Sequence, residues 1–143
     1  MTSAEIRAFI EHFIHAWEEE DLQALLDCYA EDARLDSPMF HTVEGRAQIG
    51  KSFSDLFEAF DDWDLRIDDI LIERGPDDRA ALVFTSHVTH HGVIFGMPGT
   101  GRRVETSGAL ILRFKNGRIA SERRLYDFTG LLVQLGVLKA RAV

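Results

Sequence analysis

Gly96-Met97-Pro98-Gly99-Thr100-Gly101-Arg102-Arg103, then two strand-like runs, then Tyr126-Asp127-Phe128-Thr129-Gly130-Leu131-Leu132-Val133-Gln134-Leu135-Gly136: this last third of the chain decides the fold. Val104 to Lys115 and Arg118 to Tyr126 flank Asn116-Gly117, a dipeptide favoured in two-residue hairpins because both residues tolerate positive φ. The two runs are therefore read as antiparallel neighbours. A short helix from about Phe128 to Leu135 closes the pattern, and Asp127 stands where it can cap that helix by accepting a backbone N–H bond. The glycine-rich turn lacks the Lys-Ser/Thr ending of a phosphate-binding loop, and a strand follows it where a dinucleotide fingerprint needs a helix. It reads as a connection between strands, with Phe95 and Met97 able to close over a ligand.

Upstream the rhythm is first helical. Ser3 can cap a helix in which Ile6, Phe9, Ile10, Phe13, Ile14 and Trp17 form one wide apolar stripe. Asp21 can cap a shorter helix with Leu22, Leu25, Leu26 and Tyr29 on one side. Ala33 to Ser37 reads as a short strand that Pro38 ends. After Gly45, Ile49, Phe53, Leu56, Phe57 and Phe60 repeat at helical spacing. Trp63 to Ile72 and Ala80 to His91 then suit long strands around the turn Gly75-Pro76-Asp77-Asp78. Helices followed by a meander of long strands predict an α+β fold.

Composition narrows the function. With 143 residues, 45% of them hydrophobic, the chain is sized for one domain, 1–143, with a real core. Cys28 is the only cysteine, on the second helix, where a small core residue is the ordinary reading; a lone cysteine fits a reducing, cytoplasmic setting. No apolar stretch approaches membrane-spanning length. The net charge of -8 argues against nucleic acid, whose binding rests on Lys and Arg neutralising phosphates. That charge is uneven: residues 1–101 hold 21 acidic and 7 basic side chains, residues 102–143 hold 3 and 9. The basic third can meet an acidic surface or simply solvate exposed faces.

The glycine-rich turn and the Tyr126 to Gly136 segment, in this order of elements, resemble the SnoaL-like polyketide cyclases, a branch of the nuclear transport factor 2-like superfamily. The resemblance covers nearly the whole chain. It implies a cone-shaped, curved antiparallel sheet wrapped around N-terminal helices, with an apolar pocket between them. Because Gly108-Ala109-Leu110-Ile111-Leu112 is apolar at both parities, both sheet faces are expected to be buried, one on the pocket and one on a second copy. A homodimer is the partner expected, beside a small-molecule ligand.

Residues two apart on a strand face the same way. By resemblance to the ketosteroid isomerases of the superfamily, the inward set is Phe13, Trp17, Ser37, Phe84, Ser86, Val88, His90, Leu110, Leu112, Glu122, Arg124 and Tyr126. Ser37, Phe13 and Leu110 stand where those isomerases carry a base, a tyrosine and a protonated aspartate, and none can do its counterpart's work. The cyclases place an acid near the end of the last long strand; that position is Arg124 here, and Asp127 matches a second aspartate at the strand-to-helix junction.

Asp127 is thus either an acid/base or a helix cap. Glu122, Arg124 and His90 share a face, so Arg124 can hold a carbonyl or enolate while His90 or Glu122 moves a proton; the plainer reading is a buried ion pair beside a hydrogen-bonded histidine. His87 and His91 point the same way but lack a Cys or acidic ligand at a recognised spacing, so no metal is expected. His41 is read as a solvated loop histidine. The function expected is cofactor-free acid/base catalysis, cyclisation or isomerisation, on an apolar cyclic or polyketide-like ligand. The alternatives are a noncatalytic binding or assembly module and, third, an epoxide hydrolase with a carboxylate and arginine network around a water.

Overall fold

The computed structural model describes residues 1–139. Helices α1 (Ser3–Glu18) and α2 (Leu22–Asp27) lead into β1 (Tyr29–Ser37) and β2 (His41–Glu44). Helix α3 (Arg46–Ala59) precedes the long strands β3 (Phe60–Glu73), β4 (Arg79–His90), β5 (Arg103–Lys115) and β6 (Arg118–Tyr126), and α4 (Phe128–Leu135) follows. The strands form one curved, unclosed sheet in the order β2-β1-β6-β5-β4-β3, an α+β architecture with the N-terminal helices against its inner face.

Local chemistry explains most boundaries. Thr2, rather than Ser3, caps α1: its side chain accepts the Glu5 N–H while the Glu5 carboxylate takes the Thr2 N–H, so two orphan donors are satisfied at once. Ile6, Ile10, Phe13, Ile14 and Trp17 are buried as one stripe. Asp21 caps α2 through the Ala24 N–H.

Three features depart from the sequence reading. β1 begins at Tyr29 rather than Ala33, because its pairing with β6 slips between Tyr29 and Arg34 and the interruption hides the alternation. β1 and β6 run parallel, so the sheet is not wholly antiparallel. The four-residue β2, mostly exposed and at an edge, carries no hydrophobic signal.

Register places the functional rows. Directly opposed residues share a face, so Leu82, Leu110 and Arg124 form one row and Ala80, Leu112 and Glu122 the next. Ser86 stands opposite Thr106, and Phe84, Gly108 and Tyr126 lie in line. β3 carries an extra residue between its pairs Asp61–Thr89 and Asp64–His87, with Asp62 at φ +53. This bulge turns Phe60, Trp63 and Leu65 toward the helices at an uneven spacing. No helix among the described residues is long and apolar enough to cross a membrane.

Candidate functional site

Helices and sheet enclose a small, half-open cavity of about 80 Å³. α1 contributes Ile14 and Trp17; β3 contributes Phe60, Trp63 and Leu65. From the rest of the sheet come Phe84, Ser86, Val88, Thr106, Leu110, Arg124 and Tyr126. Met39 and Phe40 of the β1–β2 turn, Leu56 of α3 and Leu131 of α4 complete the wall.

Arg124 is the charged group of this wall, and it is almost fully buried. Its Nε donates to Glu122 Oε2 at 2.6 Å, and its guanidinium carbon lies 4.7 Å from the Trp17 ring centroid and 5.0 Å from that of Phe53. A planar, weakly hydrated cation suits such stacking. Burial opposes the charge, but the Glu122 carboxylate outweighs it and raises the guanidinium above its ordinary pKa. Behind the pair, the buried Tyr29 hydroxyl donates to Glu122 Oε1. Burial first, then the negative charge of Glu122, pushes the Tyr29 phenol well above its usual range, so it remains a donor.

Two donors in this region are left over. Arg124 Nη2 and Trp17 Nε1 are buried and find no acceptor within the protein. Such orphans are costly and ask for an explanation. Tyr126 adds a hydroxyl whose pKa is raised, chiefly by burial, against the opposing pull of Arg124 and the Met39 N–H. Ser86 spends its proton on the Thr106 carbonyl at 3.3 Å. Among the described residues no carboxylate or histidine lines the cavity.

Of the residues expected from the sequence, Trp17, Phe84, Ser86, Val88, Leu110, Arg124 and Tyr126 stand in the cavity wall. The others do not. Phe13 and Leu112 are wholly buried in the core, Phe13 edge-on to Trp17 and Tyr29. Ser37 accepts the Phe40 N–H at 2.9 Å and fixes the β1–β2 turn. Glu122 sits behind Arg124 and is shielded from the cavity by it.

His90 is buried outside the cavity wall. Its Nδ1 accepts the Thr100 N–H at 3.2 Å and lies 3.0 Å from Thr100 Oγ1, while its ring packs on Phe60. A backbone N–H can only donate, so Nδ1 is the acceptor toward Thr100, and the buried Nε2 has no partner within the protein. His90 therefore anchors the glycine-rich loop to β4. Asp127 is exposed and caps α4, its Oδ1 taking the Gly130 N–H at 2.8 Å. It borders a shallow polar surface hollow with Glu105, Thr106, Ser107 and Gln134, outside the main cavity.

The glycine-rich loop folds on itself instead of over the cavity. Ile94 and Met97 exchange backbone hydrogen bonds around Phe95 and Gly96, both at positive φ, and Phe95 packs on Phe128. At Gly99 a Cβ would lie 2.0 Å from the His91 carbonyl oxygen, so only glycine lets the returning chain come this close. His87 lies 3.8 Å from Glu105 and His91 3.9 Å from Asp61; among the described residues no three His, Cys, Asp or Glu side chains form a metal cluster. His41, at φ +58, is exposed in its turn. Buried Cys28 has its thiol pushed up to about 11 by desolvation.

Sequence reasoning left Leu56, Thr106 and Leu131 out of the pocket set and assigned Tyr29, the buried partner of Glu122, to α2. The signal for Tyr29 was parity: Tyr29, Ala33, Leu35 and Ser37 are all odd and all buried on β1. Phe60, read as the last repeat of α3, starts β3 instead, and the bulge after it hides that it shares a side with Trp63 and Leu65.

Comparison with known proteins agrees with this architecture. Among solved structures, AclR from Streptomyces galilaeus, provisionally assigned as a hydroxylase, is 29% identical with a TM-score of 0.85, over 99% of this chain and 91% of that one. TsrD from Streptomyces laurentii is 27% identical with a TM-score of 0.78, over 96% and 99%. A protein from Acidithiobacillus ferrooxidans, provisionally assigned as a polyketide cyclase, is 24% identical with a TM-score of 0.80, over 96% and 98%. No curated protein matches the sequence. The profile of the SnoaL-like domain matches residues 10–122, which take in most of the helices and strands around the cavity but stop short of Arg124, Tyr126 and Leu131, and the chain belongs to the SnoaL-like domain family.

Proposed function

We propose that the protein binds a small, flat, largely apolar molecule bearing a carbonyl-type oxygen, and that Arg124 is its hydrogen-bonding anchor. One observation carries this: a buried guanidinium, held by Glu122 through Nε, keeps Nη2 unpartnered in the wall of an apolar cavity. A ligand oxygen is the acceptor that this donor lacks. Trp17 Nε1 offers a second donor and Tyr126 a third.

Donors aimed at a carbonyl oxygen polarise it and stabilise the partial negative charge that grows on it in enolisation or aldol ring closure, while the Glu122 charge beside Arg124 opposes a full anion. The polar groups of the wall therefore suit electrophilic activation, as in a cyclisation or isomerisation. Asp127 and His90 have structural employment in this reading, and Glu122 acts through Arg124. The lack of a carboxylate or histidine in the wall among the described residues favours the second reading, a binding module without turnover. It also leaves an epoxide hydrolase without its carboxylate and water network.

The test compares 2-acetylnaphthalene with 2-ethylnaphthalene, followed by quenching of Trp17 and Trp63, which both line the cavity. A hydrogen bond to a charged group is worth about 1.5–3 kcal/mol, so Arg124→Met should weaken the ketone at least tenfold more than the hydrocarbon. Because that change strands the Glu122 charge, Glu122→Gln/Arg124→Met is measured beside it. Equal losses for both ligands in both variants would remove Arg124 as the anchor.

We also propose a homodimer formed through the outer sheet face. Val83, Ala109 and Leu125 lie in one row there, with Ala81 and Ile111 in the next and Leu71 opposite Ala81. Leu71 and Leu125 are exposed.

A further inference from the structure

The buried charges at the cavity wall cancel. Arg124 brings one positive charge and Glu122 one negative charge, joined at 2.6 Å, and the Tyr29 hydroxyl holds the second carboxylate oxygen. The carboxylate thus has one oxygen on the guanidinium and the other on the phenol, with no oxygen left for a ligand. The phenol itself, buried against that carboxylate, does not give up its proton. Tyr29, Glu122 and Arg124 therefore form a closed unit with no net charge and one spare donor edge.

The ligand's own charge then decides its fit. A neutral carbonyl or phenol accepts a hydrogen bond from that edge and leaves the balance undisturbed. An anion would lose its water in an apolar cavity and bring a second negative charge to share a cation already claimed by Glu122. Nothing else in the wall offsets it: among the described residues Arg124 is the one cation lining the cavity.

Resting on the reading that the cavity takes an oxygen-bearing ligand, we infer that the Tyr29–Glu122–Arg124 unit makes the site selective for uncharged ligands, with Glu122 as the specificity-determining residue and Tyr29 as its positioning residue. Glu122 acts through charge without touching the ligand. Removing its charge converts the same cavity into an anion site.

4-Nitrophenol tests this, because it exists as a colourless phenol or a yellow phenolate of nearly the same shape. Binding is read from quenching of Trp17 and Trp63, and the bound form from the colour, across a pH series around the probe's own pKa. With the wild-type protein the phenol should bind at least tenfold more tightly than the phenolate, so that binding bleaches the solution and the bound probe's apparent pKa rises by at least one unit. In Glu122→Gln the preference should fall at least tenfold, and the yellow form should accumulate on the protein. Tyr29→Phe, which keeps the carboxylate's charge but removes its second hydrogen bond, should leave a preference for the phenol that lies between those of the wild type and Glu122→Gln.

Wild-type binding of phenolate as tightly as phenol would overturn the inference while leaving the ligand-binding reading intact. Should neither form quench the tryptophans at millimolar concentration, the binding reading and the inference fall together. If Glu122→Gln does not fold, the wild-type preference and that of Tyr29→Phe still decide the matter.

Discussion

At the scale of single residues, Asp127 and Arg124 each take one of the roles their positions first allowed. The carboxylate at the end of the last strand is an exposed helix cap, while the arginine two strand positions before Tyr126 is the buried polar group of the cavity. The cap has a measurable consequence. Asn accepts the same N–H bond, so Asp127→Asn should leave the denaturant midpoint almost unchanged, whereas Asp127→Ala should cost about 0.5–2 kcal/mol. Equal and large losses from both changes in urea denaturation would contradict the capping role. Neither change should alter binding of a naphthyl ketone, since Asp127 lies outside the cavity wall.

At the scale of elements, the β5–β6 pairing decides whether Tyr126 reaches the cavity. Gly108 lies between Phe84 and Tyr126 in their row, and a Cβ there would stand 2.2 Å from the Leu125 carbonyl oxygen and 2.9 Å from the Tyr126 Cβ. The nearest obstacle is backbone, so a rotamer change cannot relieve it. Gly108→Ala should force β5 and β6 apart locally, cost about 1–3 kcal/mol as overpacked sites do, and weaken ligand quenching of the tryptophans. An unchanged urea midpoint would show that the strands have slack the geometry denies. The same logic explains the loop before β5, where the bond from Thr100 to His90 and the close approach at Gly99 fix the chain's return.

At the scale of the whole molecule, the sheet has two different faces. The inner one is covered by the helices, and the outer one exposes Leu71 and Leu125 between the charged side chains of Glu73, Arg79, Arg113 and Arg123. A two-fold pairing would bury the apolar rows, with His87 and Ile111 inside the contact, and bring acidic and basic side chains of two copies together. Sedimentation at micromolar concentration should show a dimer, and Ile111→Asp should give a folded monomer with unchanged far-ultraviolet circular dichroism. A wild-type monomer throughout that range would reject the pairing.

The sequence by itself determined the elements whose signals are local and periodic. The stripe from Ile6 to Trp17 fixed α1, Asn116-Gly117 fixed the β5–β6 hairpin, and strand alternation put Phe84, Ser86, Val88, Leu110, Arg124 and Tyr126 on one face. Only the tertiary structure decided where that face becomes cavity and where it becomes core. Leu110 and Leu112 have the same parity, yet one lines the void and the other is sealed, because the helices cover the rows unequally. Tyr29 meets Glu122 through a parallel pairing that crosses 93 residues of chain, and the bulge at Asp62 brings Phe60 to the same side as Trp63 and Leu65 despite its opposite parity. Local patterns repeat along the chain and can be read there. Long-range register, bulges and the pairing of buried charges arise from contacts between distant segments, so no stretch of sequence carries them alone.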